Sequence, residues 1–433
     1  MTEHGRVVIV GAGVFGLSTA LELSRAGYKD IVVLDRHVPP VPDGSSVDIS
    51  RIIRFDYGDG AYTNIAKEAY DRWSSGPEYK GIFYPSPFTL VAGKQNAYGC
   101  AWVDKCISHL DELGLEYERL ADADVIKDLF PTLSGDLIHP DLYGYCNRNA
   151  GWADAAKGIA LFRDLCIERG VSFISGAQGT VTGFEKDEKT GRIVAARTQS
   201  GDRVQGKDFI LAAGAWSSTL VPMYNSTLAT GQVLAFLKLS PEESQRLKDL
   251  PIYINFDSGW FCFPPHEESG YLKLAVHGWG YTRSEPQAGS ASRPLSAPPV
   301  APRSARRNFA PEDGVARLRA GLREVLPELA DRAFDRTAVC WYTDTPTGDF
   351  IVDFHPDHPN LFLATGGSGH AYKFLPVLGK YTVQAFTKTL PRELAQKWRF
   401  REEYGKQGNP FEGDGSRGGP ERRELTGAEK AKL

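Results

Sequence analysis

The chain has 433 residues, 50 Lys and Arg against 54 Asp and Glu, and a formal charge of -4. That length predicts two domains rather than one, and the near balance of charge gives no basis for a nucleic-acid or acidic-membrane partner, which leaves a small molecule. No apolar run reaches the roughly 18 residues of a membrane span, the start enters a strand without room for a secretory leader, and the cysteines at 100, 106, 146, 166, 262 and 340 form no CxxC pair that would suggest structural zinc or a disulfide framework.

Val7 to Val10 is an apolar β-branched run, Leu17 to Ala26 is helical in character, and Ile31 to Leu34 is a second buried strand that ends at Asp35. Between strand and helix lies Gly11-Ala12-Gly13-Val14-Phe15-Gly16, so the unit is a βαβ with a dinucleotide fingerprint. Gly11 permits the tight turn, Gly13 lets backbone approach a pyrophosphate, and Gly16 allows helix to pack on strand. The free N–H groups of the helix start suit phosphates, and Asp35 suits ribose hydroxyls.

Ser50-Arg51-Ile52-Ile53-Arg54 sets two arginines around an apolar pair, and both cannot be buried without anions. Gly151 to Gly170 has helical periodicity, Val171 to Ile174 is strand-like, and Phe209-Ile210-Leu211-Ala212-Ala213-Gly214 is a strand ending in small residues that admit a cofactor. Asn360 to Gly367 repeats that pattern. Segments 1–80, 146–222 and 330–400 are therefore read as one discontinuous Rossmann-like nucleotide domain. Segments 81–145 and 223–329 form a second, substrate-binding domain on a mainly antiparallel sheet, giving an α/β plus α+β chain.

Alternation along Leu272-Lys273-Leu274-Ala275-Val276-His277 puts Lys273 and His277 on one face, looking into one cavity. Residues 284–307, rich in Pro, Ala, Ser and Arg, read as a flexible insertion, either a lid or a surface excursion. Residues 401–433 read as a polar tail whose end, Ala431-Lys432-Leu433, is a variant of the Ser-Lys-Leu address read by the peroxisomal import receptor at an exposed terminus.

The glycine fingerprint, the Ser50–Arg54 segment, Lys273 with His277, the block Cys340-Trp341-Tyr342-Thr343-Asp344 and the block Gly366-Gly367-Ser368-Gly369-His370-Ala371-Tyr372-Lys373 occur in one order. In that order the chain resembles the monomeric sarcosine oxidase and amadoriase family, which includes the pipecolate and saccharopine oxidases. The resemblance implies FAD, covalently held through Cys340. It implies a cofactor-binding set of Gly11, Gly13, Val14, Phe15, Gly16, Asp35, Arg36, Ser50, Arg51, Val181, Ala213, Gly214, Trp216, Cys340, Gly367, Ser368, Gly369, His370 and Lys373. It also implies a catalytic set of Lys273, which activates oxygen, with Arg51, His277 and His370. Arg54 and Lys373 grip the substrate carboxylate, and Phe261 stands where sarcosine oxidase has a cage tyrosine. No metal is implied.

The expected reaction is oxidation of the C–H beside a secondary amine of an N-substituted amino acid, giving an imine that hydrolyses and hydrogen peroxide. Fructosyl amino acid oxidases usually carry Lys at the place of Arg51, a small polar residue at that of Arg54 and an acid at that of His277. Those positions favour the sarcosine, pipecolate and saccharopine type over Amadori products, although Gly259 to Pro264 is similar to the fungal amadoriases. A flavin dehydrogenase passing electrons to a carrier is a third reading. Peroxide production suits a peroxisomal location, with the cytoplasm as the alternative.

Overall fold

Val7–Val10 has no polar alternation because it is the inner strand of a sheet covered on both faces, and all four of its residues are buried. In the computed structural model, which describes residues 5–137, 141–285, 295–299, 308–404 and 411–433, this sheet has six strands. Their order is Ile351–Phe354, Leu361–Thr365, Asp208–Leu211, Val7–Val10, Ile31–Leu34, Ser172–Ile174. All neighbours are parallel except the edge strand Ile351–Phe354. Helix Val14–Arg25 packs on helix Leu375–Phe386 with backbones in contact. A Cβ at Gly379 would sit 2.0 Å from the Ser18 carbonyl oxygen, so this packing demands glycine.

The second sheet is built on Leu228–Lys238, which pairs antiparallel with both Tyr271–Val276 and Arg336–Asp344. Beyond Tyr271–Val276 follow Trp260–Cys262, Ile252–Asn255, Phe88–Gly93, Leu142–Asn147 and Glu118–Leu120, and on the other side Tyr281–Thr282 and Arg423–Glu424. Two pairings are parallel, Ile252–Asn255 with Phe88–Gly93 and Tyr281–Thr282 with Arg423–Glu424. Helix Glu312–Val325 covers one face, where the Trp260 indole donates to the Leu318 carbonyl at 3.0 Å. A small antiparallel sheet of Arg51–Ile53, Gly151–Ala153 and Phe83–Pro85 fixes the two arginines. The chain is thus of the expected mixed class, a doubly covered α/β sheet beside a mainly antiparallel one.

Four features depart from the sequence reading. Arg336–Asp344 falls within the segment assigned to the nucleotide domain but pairs in the second sheet. Its alternate residues face two different buried clusters, Val339 and Trp341 one, Ala338 and Cys340 the other. Gly151–Ala153 is strand, and the helix starts only at Ala155, where the Asp154 carboxylate accepts from Lys157 N at 3.0 Å as an N-cap. Of the 284–307 insertion, 286–294 and 300–307 lie outside the described residues, but Leu295–Ser296 pairs with Ser284–Glu285 and the Ser296 hydroxyl donates to the Ala229 carbonyl at 2.7 Å.

The fourth departure is the tail, of which 411–433 is not loose. Arg423–Glu424 adds a strand, Leu425 is buried, Arg423 bridges Asp313 at 2.6 Å and Glu429 at 2.8 Å, and Leu433 packs against the core. Average polarity hid this because only a few apolar residues anchor the segment while its charges find partners on the body.

Candidate active site

The glycine loop is shaped by contacts that exclude side chains. Gly11 has φ +111° and a Cβ there would lie 2.3 Å from the Ala212 carbonyl oxygen, while a Cβ at Gly16 would lie 1.8 Å from that of Gly11. Gly16 therefore serves packing and does not face the cavity. Asp35 ends its strand with one carboxylate oxygen accepting from Ala12 N at 2.7 Å, and burial pushes its pKa up. Val14 N donates to the Ser46 hydroxyl at 3.0 Å, a partner the sequence did not suggest. Arg36 clasps Asp43 at 2.8 and 2.9 Å and lies over the Trp216 ring, 4.3 Å from its centroid.

A cavity of about 320 Å³ runs from this loop across the second sheet. Gly11, Gly13, Val14, Phe15, Asp35, Arg36, Val181, Ala213, Gly214 and Trp216 line one end. Arg51, Phe261, Lys273, Cys340, Gly367 and Gly369 line the middle, and Arg54, His277, His370 and Lys373 the far end. Ser50 and Ser368 are not in the lining. The Ser50 carbonyl accepts from Lys273, and the Ser368 hydroxyl accepts from Thr345 N at 3.2 Å, so both buttress the wall from behind.

Strand register sets the middle of the site. Phe236 pairs with Lys273, Leu234 with both Ala275 and Ala338, and Gln232 with Cys340. Lys273, Ala275, Ala338 and Cys340 thus share one sheet face, where the two alanines leave room beside the thiol. Lys273 is 2% exposed, donates to the Ser50 carbonyl at 2.6 Å, pairs with Asp48 at 3.0 Å and lies over Phe263. Arg51 pairs with the same Asp48 at 2.5 Å and stands 3.7 Å from the Cys340 sulfur. Two cations thus share one buried carboxylate, and Lys273 is not the isolated cation its strand position suggests.

The far end differs. Arg54 is 8% exposed, yet among the described residues its guanidinium has no hydrogen-bond or salt-bridge partner. It rests among the rings of Tyr57, Phe88 and Trp102, 5.1, 5.1 and 5.4 Å from their centroids. The nearby Asp56 carboxylate accepts from Asn147 at 3.0 Å instead. An unpaired buried cation is costly, so the pocket is built for an anion from outside.

Beside it, Lys373 donates to the Tyr57 hydroxyl at 2.8 Å and to the His370 carbonyl at 2.9 Å, and burial and the Arg54 charge hold its pKa well below that of an ordinary lysine. Tyr57 in turn lies 2.9 Å from His370 Nδ1, and His370 Nε2 lies 2.9 Å from the Gly348 carbonyl. This fixes the tautomer with the proton on Nε2. Burial and Lys373 push the His370 pKa down to about 3, and burial and Arg417 push that of His277 well below the usual range. His277 Nε2 lies 3.0 Å from the Ser416 hydroxyl.

The sequence profile of the FAD dependent oxidoreductases matches residues 6–385. The chain belongs to this family. It is 30% identical to the L-saccharopine oxidase of Schizosaccharomyces pombe over 92% of this chain and 93% of that one. It is 28% identical to the monomeric sarcosine oxidase of Bacillus sp. strain NS-129 over 89% and 94%. The solved structure of the deglycating enzyme fructosamine oxidase from Aspergillus fumigatus, Amadoriase II, superposes with a TM-score of 0.85 at 28% identity, covering 98% of this chain and 96% of that one.

The donor set of this oxidoreductase fits FAD. Asp35 offers a carboxylate oxygen at the end of its strand, a side chain at Gly11 would strike the Ala212 carbonyl oxygen, and Arg51 and Cys340 line the same cavity and would be among the residues that hold the cofactor. Among the described residues no cluster of His, Cys, Asp or Glu has a metal-binding arrangement, and no helix is long and apolar enough to cross a membrane.

Sequence reasoning missed Ser46, Asp48, Tyr57, Asp414 and Ser416. Asp48 had a signal, since buried arginines and lysines demand an anion and it lies three residues before Arg51. Asp414 and Ser416 had none, because they sit in a Gly-rich segment read as tail.

Proposed function

We propose that this chain oxidises a secondary amine carried by an N-substituted amino acid, with oxygen as electron acceptor. The unpartnered, buried Arg54 guanidinium beside Lys373 carries the reading, because two cations aimed into one apolar cavity match a single carboxylate. Bound FAD supplies the acceptor for the two electrons and the hydrogen leaving carbon. Arg54 and Lys373 hold the substrate carboxylate, and that anion restores the charge that burial takes from Lys373. His277 and His370, kept neutral, add no charge that repels an amine. The rings of Tyr57, Phe88 and Trp102 surround the Arg54 guanidinium and keep its site apolar.

Lys273 and Arg51 both pair with Asp48 in the middle of the site, so a cation is held there by a buried carboxylate. A fixed positive charge there lowers the cost of reducing oxygen. Cys340, at 3.7 Å from Arg51, is the residue proposed to bond the flavin. Segments 1–80, 146–222 and 330–400 form the nucleotide domain in this proposal, except that the Cys340 strand Arg336–Asp344 belongs to the second sheet. A peroxisomal location is proposed from Ala431-Lys432-Leu433, of which Ala431 and Lys432 are exposed while Leu433 packs in part against the core and would have to detach to be read.

The test is peroxide release from sarcosine, pipecolate, saccharopine, other N-methyl amino acids and fructosyl amino acids. Turnover of the first group supports the proposal, whereas turnover of fructosyl amino acids alone points to the amadoriase reading. Reduction by an amine without reoxidation by oxygen points to a dehydrogenase.

A further inference from the structure

The segment 411–419 lies beyond the stretch that matches the family profile, yet it forms a wall of the cavity through Asp414 and Ser416. It is strapped down along its length. Gly413 N donates to the Pro346 carbonyl at 3.0 Å, Gly418 N to that of His277 at 3.2 Å, and Gly419 N to that of Asp257 at 2.9 Å. Arg417 turns away from the cavity to Asp344 at 2.5 Å and to the Ser368 carbonyl at 3.0 Å, a pair that is itself buried. Gly415, at φ +89°, bends the chain between the two cavity-facing residues, and a Cβ there would lie 2.6 Å from the Tyr98 ring.

Asp414 is the unused charge in this wall. Its Oδ1 accepts from Ser416 N at 3.1 Å and from the Ser416 hydroxyl at 2.6 Å, but no cation among the described residues pairs with it, and its side chain is open to the cavity. The carboxylate lies in the electrostatic reach of the carboxylate-binding end, since Tyr57 and Lys373 both feel Arg54 and Asp414. One cavity therefore presents an unpaired guanidinium and an unpaired carboxylate. That pattern complements a ligand with an anion at one point and a cation at another. The reacting amine does not supply this cation, because it must be neutral to give up hydrogen from its carbon.

We propose that Asp414 binds a second, cationic nitrogen of the substrate, remote from the carboxylate held by Arg54, and so selects amino acids that carry an ammonium group beyond the reacting amine. The inference rests on the carboxylate-binding reading above and narrows its substrate class. Asp414 is a specificity residue, positioned by Ser416 and by the strap.

The test uses two unreactive probes, in which sulfur replaces the reacting nitrogen, titrated calorimetrically into the holoenzyme. (Methylthio)acetate has only the carboxylate, and (2-aminoethylthio)acetate adds one ammonium arm. Wild-type protein binds the second about tenfold or more tighter, Asp414→Asn brings the two within about twofold while (methylthio)acetate keeps its affinity, and Asp414→Glu retains part of the preference. No preference in the wild type, or equal losses for both probes in Asp414→Asn with unchanged thermal unfolding, overturns the proposal. Failure of both probes to bind wild-type protein overturns the carboxylate reading, and this inference with it.

Discussion

Replacing Arg54 with methionine separates a binding role from a structural one. The side chain is 8% exposed and makes no hydrogen bond or ion pair among the described residues, so the fold loses only its contacts with the Tyr57, Phe88 and Trp102 rings. At a desolvated site each such contact is worth about 2 kcal/mol, and the loss is offset by removal of a desolvated, unpaired charge that costs several kcal/mol. Methionine also repacks against aromatic rings. Arg54→Met is therefore expected to leave the melting temperature unchanged or raise it. For the substrate the balance reverses. Removing one partner of a desolvated charge pair costs about 2–5 kcal/mol, and about 3 kcal/mol corresponds to roughly 150-fold weaker binding. The assays are thermal unfolding of the substrate-free protein and KM for an N-substituted amino acid by peroxide release. A drop of several degrees in melting temperature with KM unchanged would refute the argument, because it would make Arg54 a structural group.

Three further outcomes follow from the same geometry. Acid-denatured wild-type protein should keep its flavin on the polypeptide and Cys340→Ser should release it, so free flavin from wild type would remove the covalent role of Cys340. In Lys273→Met the Lys273 ammonium is lost while Arg51, the cation beside the thiol, stays paired with Asp48. Reoxidation by oxygen should slow about a hundredfold or more, with reduction by substrate little changed and stability lower by about 1–3 kcal/mol because the buried Ser50 carbonyl loses its donor. Stopped-flow reoxidation at the wild-type rate would contradict it. His370 has a folded pKa of about 3 against an ordinary 6.5, so between those values the unfolded chain binds the extra proton. The stability from its neutral form is complete above pH 6.5 and lost as pH falls toward 3. The stability gap between wild type and His370→Gln in urea should narrow on acidification, and a gap independent of pH would argue against the shift.

How much of this was legible in the sequence depended on whether the signal was local. Val7–Val10, the Gly11–Gly16 turn and Asp35 are fixed by contacts within one βαβ unit, and the residues themselves carry that pattern. The shared face of Lys273 and Cys340 needed register across three strands. Alternation gave the parity of Lys273 and Ala275 but not their alignment with Ala338 and Cys340 through Leu234. The pairing of Asp48 with both Lys273 and Arg51 joins residues more than 220 positions apart, and no periodicity encodes it. The difference between the two arginines was equally hidden. They flank the same apolar pair, yet Arg51 meets Asp48 while Arg54 enters a ring of aromatics. Residues 411–433 were misread because polarity reports average composition, whereas Leu425 and Arg423 dock at single points.

The most direct measurement of the central claim is an anaerobic titration of the purified holoenzyme, followed by the absorbance of its flavin, with pipecolate and with pipecolamide. The two share the reacting amine and differ in the carboxylate that Arg54 and Lys373 are proposed to hold. The acid should bleach the flavin at concentrations at least about a hundredfold lower than the amide, from about 3 kcal/mol of charge-pair binding. Bleaching by both at equal concentrations would contradict the account.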